Sequence, residues 1–330
     1  MKSVDSGSLL PRRGEGEDEG VSSRGHSPHP NPRPRWGEGG YGISELLTLL
    51  TKHLTSYSDA PHLDAERIVL HVLKKREPAY LLAHATDKLS DQQIQEVTAM
   101  ANRRKTGMPL AYILGEVDFF GRTFIVTPDV LIPRPDTETL IEKAIEYIIR
   151  HAGLRPGIHE EITIADICTG SGIIVITLAL ELEKLMQLKA NEAKSYRFIA
   201  TDISPAAIAI AKQNAQNHGV ADTIEFIEGD MLDPFDFAQG KPHKIDLIVS
   251  NPPYIQTSEL DAIYSPQQPY LPHFNAKRWN VGLLFEPRIA LDGGPDGQKF
   301  VNQIKTSGIP AIIETTGGAI ITLVQPLPLK

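Results

Sequence analysis

In this 330-residue chain, Asn251-Pro252-Pro253-Tyr254 is the run whose residue types are best suited to chemistry. Two successive prolines fix φ and bring no N–H donors, so nearby carbonyl groups are left to accept hydrogen bonds. The Asn251 side-chain oxygen and the Pro252 carbonyl make a pair of acceptors that can grip both N–H bonds of a planar amide or amino nitrogen. Such a nitrogen is a poor nucleophile because its lone pair is delocalised. Holding both N–H bonds orients it and stabilises positive charge as it forms. Tyr254 offers a flat face for stacking on the same group. No strong base is needed, because the product loses its proton easily. The plainer reading is a Pro-Pro turn that ends a strand. It is set aside because the motif follows the apolar run Ile245–Ser250. That places it at the carboxyl edge of a sheet, where ligands of such sheets bind.

A second motif is Asp166-Ile167-Cys168-Thr169-Gly170-Ser171-Gly172, between an apolar strand (162–167) and a helical segment (173–182). Glycines at a strand-to-helix turn let the backbone approach a ligand closely. Gly-x-Gly alone is weak, and the strand-turn-helix setting strengthens it. A pyrophosphate-binding loop would carry a third glycine at position 175, which is Val175. An adenosine without pyrophosphate therefore fits better. Asp202 ends the second strand, where an acidic residue can accept both ribose hydroxyls. Its alternative role, capping the next helix, is one that Ser204 can fill. After the third strand, Gly229-Asp230-Met231 brings Asp230 within reach of an adenine amino group, although loop aspartates are also common turn residues.

These motifs need a scaffold. Short apolar strands at 162–167, 198–201, 224–227 and 245–250 alternate with helices, one at 206–217. That alternation predicts an α/β, doubly wound parallel sheet. Upstream, Ile43, Leu46, Leu47, Leu50 and Leu54 recur at helical spacing, a second helix spans 64–75, and Ser90 with Gln93 forms a capping box for a third. Residues 42–107 thus read as a small helical domain. Residues 108–135 hold a β-hairpin within 116–127, with Gly121-Arg122 as its turn, and a helix follows at 139–150. Residues 136–330 form the sheet domain. Residues 1–41 are rich in Pro, Gly, Arg and acidic residues and read as a disordered tail.

The bulk numbers exclude several classes. Apolar residues make up 41%, and the net charge is −8. An acidic chain lacks the surface for general binding to nucleic acid. The single cysteine, Cys168, rules out an internal disulfide and a cysteine metal cluster, and suits a reducing compartment. No stretch is apolar enough to span a membrane, and no signal core opens the chain. The expected location is the cytoplasm.

Together these residues resemble the bacterial peptide chain release factor N5-glutamine methyltransferases. The resemblance runs from about residue 43 to about 305. It rests on Val130-Leu131-Ile132-Pro133-Arg134-Pro135-Asp136-Thr137-Glu138, the Thr-Gly-Ser-Gly loop and Asn-Pro-Pro-Tyr. Glu286-Pro287 and Leu291-Asp292-Gly293-Gly294-Pro295-Asp296-Gly297 complete it. It implies a Rossmann-like methyltransferase domain of seven strands and a helical domain that docks the release factor. It further implies S-adenosylmethionine as cofactor, and as substrate the glutamine of a Gly-Gly-Gln loop. By the family pattern, Cys168, Thr169, Gly170, Ser171, Gly172, Asp202 and Asn251 contact the cofactor, with Asp230 and Met231 beside them. Asn251, Pro252, Pro253 and Tyr254 hold the glutamine. The implied reaction is a direct displacement at the methyl carbon, without metal and in a monomer. Arg134 and Glu138 are expected to brace the junction between domains.

Three departures stand out. Cys168 replaces the family's first loop glycine, Met231 replaces a frequent aromatic, and the segment between Tyr254 and Glu286, rich in Pro, Gln and aromatics over 264–279, is long. Rival readings are methylation of a ribosomal-protein glutamine, methylation of a nucleic-acid exocyclic amine, and an inactive remnant. The last draws on the C-terminus. A fifth strand at 319–324 is followed by Gln325-Pro326-Leu327-Pro328-Leu329-Lys330. The sheet is therefore expected to be truncated, with an exposed apolar edge and part of it uncovered.

Overall fold

The computed structural model describes residues 40–152, 161–188, 195–235, 245–265 and 282–323. The tail up to residue 39, most of the 264–279 segment and the terminal 325–330 run lie outside the described residues.

Helices α1 (Ile43–Leu54), α2 (Pro61–Val72), α3 (Pro78–Ala83), α4 (Asp91–Lys105) and α5 (Leu110–Leu114) make up the N-terminal region. Ile43, Leu46, Leu50 and Leu54 of α1 bury one stripe against Ile68 and Val69 of α2 and Val97 of α4. The capping box of α4 forms as expected. The Ser90 hydroxyl accepts the Gln93 N–H at 3.3 Å, and the Gln93 side chain accepts the Ser90 N–H at 2.9 Å. Helix α3 has only six residues, too short to show a helical period.

Strands β1 (Glu116–Phe119) and β2 (Arg122–Ile125) form the hairpin. Its turn is Phe120-Gly121, one residue earlier than the sequence suggests. Both residues have positive φ, 49° and 70°, the twist that two-residue hairpin loops prefer. Such a φ is unfavourable for phenylalanine. The Glu138 carboxylate offsets this by accepting the Phe120 N–H at 2.9 Å. Phe119 and Phe124 pack into the core of the large sheet, with Leu140, Ile164 and Leu178.

That sheet has six strands among the described residues, ordered β5-β4-β3-β6-β7-β8. They are β3 (Ile162–Ile167), β4 (Tyr196–Asp202), β5 (Ile224–Glu228), β6 (Leu247–Ser250), β7 (Ala311–Thr315) and β8 (Ala319–Leu323). All pairings are parallel except β7 with β8. Helices α6 (Asp136–Ala152), α7 (Ile173–Leu188), α8 (Pro205–Asn217), α9 (Thr257–Ile263) and α10 (Lys299–Thr306) accompany it. The chain proceeds outward from β3 through β4 to β5, then returns to place β6 on the other side of β3. The loops after β3 and β6 therefore meet at the topological switch point, where doubly wound sheets bind ligands.

The expected five strands and uncovered sheet need correction. Strand β7 was missed because it is short, follows Pro310 and carries Glu314 within its apolar run. It is covered on both faces. Ala311 and Ile313 meet Val301 and Ile304 of α10, and Ile312 joins the opposite cluster with Leu140 and Ile141 of α6.

One side chain ties the hairpin to the loop after β3. Asn214 of α8 is fully buried. Its Oδ1 accepts the Ile125 N–H at 2.7 Å, and its Nδ2 donates to Ile125 O at 3.0 Å and Ser171 O at 2.9 Å. Asn214→Ala should lower the unfolding free energy by about 2–4 kcal/mol, since a buried group left without a partner costs roughly 1–3 kcal/mol. Urea denaturation measures this, and an unchanged midpoint would contradict the clamp.

Candidate active site

The switch point opens into a cavity of about 670 Å³, in the range of small-molecule sites. One wall is the loop after β3. Cys168, Thr169, Gly170 and Ser171 line the cavity, whereas Gly172 does not. Gly172 has φ 77°, and a Cβ there would stand 3.0 Å from that of Ala211. Glycine there lets the loop pack closely on α8. Cys168 has φ 60°, a conformation natural to the glycine it replaces. Its Sγ lies 3.5 Å from Met231 Sδ, and Met231 itself has φ 48°. The two sulfurs fill the corner between the loops after β3 and β5. Burial pushes the Cys168 thiol up, and the carboxylates of Asp202, Asp166 and Asp230 add to the effect.

Asp202, Ile203, Ser204, Asp230 and Met231 form the next wall. The Asp202 Oδ2 accepts the Gly170 N–H and Oδ1 accepts the Ser204 N–H, both at 2.9 Å. The carboxylate keeps lone-pair capacity for a ligand hydroxyl. Ser204 caps α8, its hydroxyl accepting the Ala207 N–H at 3.2 Å, so Asp202 is not needed there. Burial raises the Asp202 carboxyl, against the N–H groups of Ser204, Gly170 and Ile203. Beneath the loop, Asp166 is fully buried. Its Oδ2 accepts the Thr169 hydroxyl at 2.7 Å and the Val175 N–H at 3.2 Å, which shapes the turn. Burial pushes its carboxyl up to about 7.

Asn251 and Pro253 complete the cavity at the end of β6, joined by Leu131, Pro133 and Thr137. Pro252 is buried and Tyr254 half-buried, and neither lines the cavity. Burial raises the Tyr254 hydroxyl, with the Glu314 charge adding to this and Arg134 opposing it. Among the described residues, Asn251 Oδ1 is buried and has no hydrogen-bond partner.

The Leu291–Gly297 run holds this corner in place. Ile255 donates to Leu291 O at 2.9 Å, Gly293 to Ile255 O at 2.8 Å, and Thr257 to Gly294 O at 3.0 Å. A Cβ on Gly293 would lie 2.6 Å from Tyr254 Cα, so glycine is required for the approach. Arg134 pairs with Glu286 at 2.6 Å, and Glu286 also accepts the Ile132 N–H at 3.2 Å. Arg134 thus ties the segment before α6 to Glu286, and Glu138 ties α6 to the hairpin turn. Sequence reading missed Thr137, Glu314, Ile203 and Ile289. Thr137 sat unremarked within a quoted run, and an acidic residue in an apolar strand was the available signal for Glu314.

The cavity suits an adenosine-bearing ligand. A carboxylate stands at the β4 edge, half-exposed Ile203 and Ile289 flank the mouth, and an unpaired acceptor belongs to the β6 end. The model described as PrmC N-terminal domain matches residues 45–115, and a methyltransferase domain model matches 158–306. A release factor glutamine methyltransferase of Moorella thermoacetica is 37% identical over 239 residues, 72% of this chain and 70% of that one. The protein of the same name from Bordetella pertussis is 35% identical over 274 residues, 83% of this chain and 85% of its own length. That from Chlorobaculum tepidum is 34% identical over 278 residues, 84% and 83% of the two chains.

Two outcomes follow from the buried carboxyls. Asp202→Ala should weaken S-adenosylmethionine binding by about 1.5–3 kcal/mol, the scale of hydrogen bonds to a charged group. Isothermal titration giving an unchanged dissociation constant would rule out the ribose contact. Asp166 holds its proton up to about 7 when folded, against about 3.9 when unfolded. Within that window the folded state binds the extra proton, so this group adds stability as pH falls and removes it as pH rises through 7. Asp166→Asn should therefore flatten the decline in unfolding free energy between about pH 4 and about pH 7. Parallel slopes for the two proteins would contradict this.

Proposed function

This chain belongs to the release factor glutamine methyltransferases, and from that premise we propose how its residues carry out the reaction. It methylates the side-chain amide nitrogen of a release-factor glutamine, using S-adenosylmethionine. The cofactor supplies an electrophilic methyl group. Asp202 holds the ribose hydroxyls, the turn of Cys168, Thr169, Gly170 and Ser171 accommodates the adjoining chain, and Asp230 with Met231 borders the adenine. Asn251 carries the other half of the task.

The observation that carries this assignment is the buried, unpartnered Asn251 Oδ1 on a cavity-lining residue. A buried acceptor left empty costs about 1–3 kcal/mol, so its partner is expected from the substrate. One N–H of the glutamine amide donates to Asn251 Oδ1 and the other to the Pro252 carbonyl. Both bonds strengthen as the nitrogen gains positive charge, which lowers the barrier where it matters. Tyr254 stacks against the amide plane from its half-buried position. The product sheds its proton to solvent.

The glutamine lies in the Gly-Gly-Gln loop of the release factor, and the helical region docks that partner. The proposed division is a tail at 1–41, a docking domain at 42–107, a hairpin linker at 108–135 and a catalytic domain at 136–330. A monomer acting in the cytoplasm without direct nucleic-acid contact fits a net charge of −8 and a single cysteine. Among the described residues no helix is long and apolar enough to cross a membrane.

Incubation with methyl-labelled S-adenosylmethionine and, separately, release factor, ribosomes or DNA tests the substrate. Label should enter release factor alone, and entry into either of the others instead would overturn the reading. Asn251→Ala should slow transfer by roughly a hundredfold or more while changing cofactor affinity far less. Near-normal turnover in that variant would remove Asn251 from the mechanism.

A further inference from the structure

We propose that Thr137 and Glu314 are positioning residues that fix the amide of Asn251 with its oxygen turned to the substrate. The proposal rests on the reading of Asn251 as the acceptor for the glutamine N–H. Asn251 follows β6 directly, and in the parallel β6–β7 register Ser250 pairs with Ile313. The next residue on each strand is Asn251 and Glu314, so the sheet itself sets them side by side. Thr137 enters from the first turn of α6, the helix opened by the Arg134-Pro135-Asp136 run. Thr137 and Glu314 are each 1% exposed.

Two bonds define the arrangement. The Thr137 hydroxyl donates to Glu314 Oε2 at 2.7 Å. The Asn251 Nδ2 donates to Thr137 Oγ1 at 3.3 Å, and the β6–β7 register sets the Glu314 carboxylate beside the same amide. A carboxylate can only accept. The Thr137 hydrogen is already committed to it, so the hydroxyl offers Asn251 an acceptor too. Both neighbours therefore demand the –NH₂ end of the amide. A flipped Asn251 would set its oxygen against two acceptors and present N–H to a substrate N–H. The two side chains exclude that state, which leaves Oδ1 as the end without a partner. Bonds to the Nδ2 hydrogens also polarise the amide and strengthen Oδ1 as an acceptor.

Burying a carboxylate is costly unless it is hydrogen-bonded, and the Thr137 hydroxyl supplies such a bond to Glu314. The same device selects the substrate class. An oriented Oδ1 rewards a ligand that donates, an amide or amine N–H, over an ester or carboxylate that cannot.

The test compares Thr137→Val, Thr137→Ser, Asn251→Ala and Thr137→Val/Asn251→Ala in the full-length protein with release factor as substrate. Thr137→Val should lower kcat by about tenfold, the worth of one oriented hydrogen bond, with the dissociation constant for S-adenosylmethionine within about twofold of the parent. Thr137→Ser, which keeps the hydroxyl, should restore kcat to within about threefold. In the double variant the valine should cost nothing beyond Asn251→Ala, because it acts through that residue. If Asn251→Ala keeps near-normal turnover, the reading of Asn251 fails and this proposal with it. If Asn251→Ala is crippled while Thr137→Val turns over normally, or if the two losses multiply, the positioning role alone is overturned. Should Thr137→Val fail to fold, Glu314→Gln, nearly equal in volume, takes its place. It should lose several-fold in kcat at unchanged cofactor affinity, and an unaltered kcat would overturn the role.

Discussion

The carbonyl oxygen of Asn251 is buried without a hydrogen bond, and much of the molecule is arranged to keep it available. An empty buried acceptor is unfavourable, so the fold must supply compensation and must prevent the side chain from turning inward. Strand β6 sets the position, β7 brings a carboxylate alongside, and α6 inserts a hydroxyl between them. The glycine-bearing run after Leu291 then grips the backbone of Tyr254 and Ile255, so the turn cannot relax. The covered, fully paired β7 matters for the same reason. It holds Glu314, the acceptor that takes up the Thr137 hydrogen.

A second set of carboxyls organises the cofactor half. Asp166 shapes the turn after β3 from below, and Asp202 draws the Gly170 N–H across to β4. The loop is thus preformed, with the Asp202 oxygens still able to accept from a ligand. Asn214 anchors the same loop from α8 and joins it to the hairpin. The hairpin's aromatics share the core of the sheet.

Much of this was legible in the sequence. Strands β3 to β6 announced themselves because parallel strands buried on both faces are continuous apolar runs. The two glycine and proline motifs stood at their carboxyl ends, and the capping residues Ser90 and Ser204 worked as their types suggest. What stayed hidden depends on distant partners. Glu314 looks misplaced in an apolar strand until Thr137, 177 positions away in sequence, meets it. The hairpin turn slipped by one residue because phenylalanine rarely adopts positive φ, and only the Glu138 carboxylate makes that choice tolerable. The close approach of Gly172 to Ala211 depends on a helix whose position no local pattern reveals.

The most direct measurement is a crystal structure with S-adenosylhomocysteine and a peptide carrying the Gly-Gly-Gln sequence. The account predicts the glutamine amide nitrogen at about 3 Å from both Asn251 Oδ1 and the Pro252 carbonyl oxygen, hydrogen-bond distance for each. Thr137 should keep its bond from Nδ2, with Glu314 bonded to the Thr137 hydroxyl. A glutamine nitrogen bound elsewhere, with Asn251 Oδ1 still unpartnered or turned toward Glu314, would contradict it.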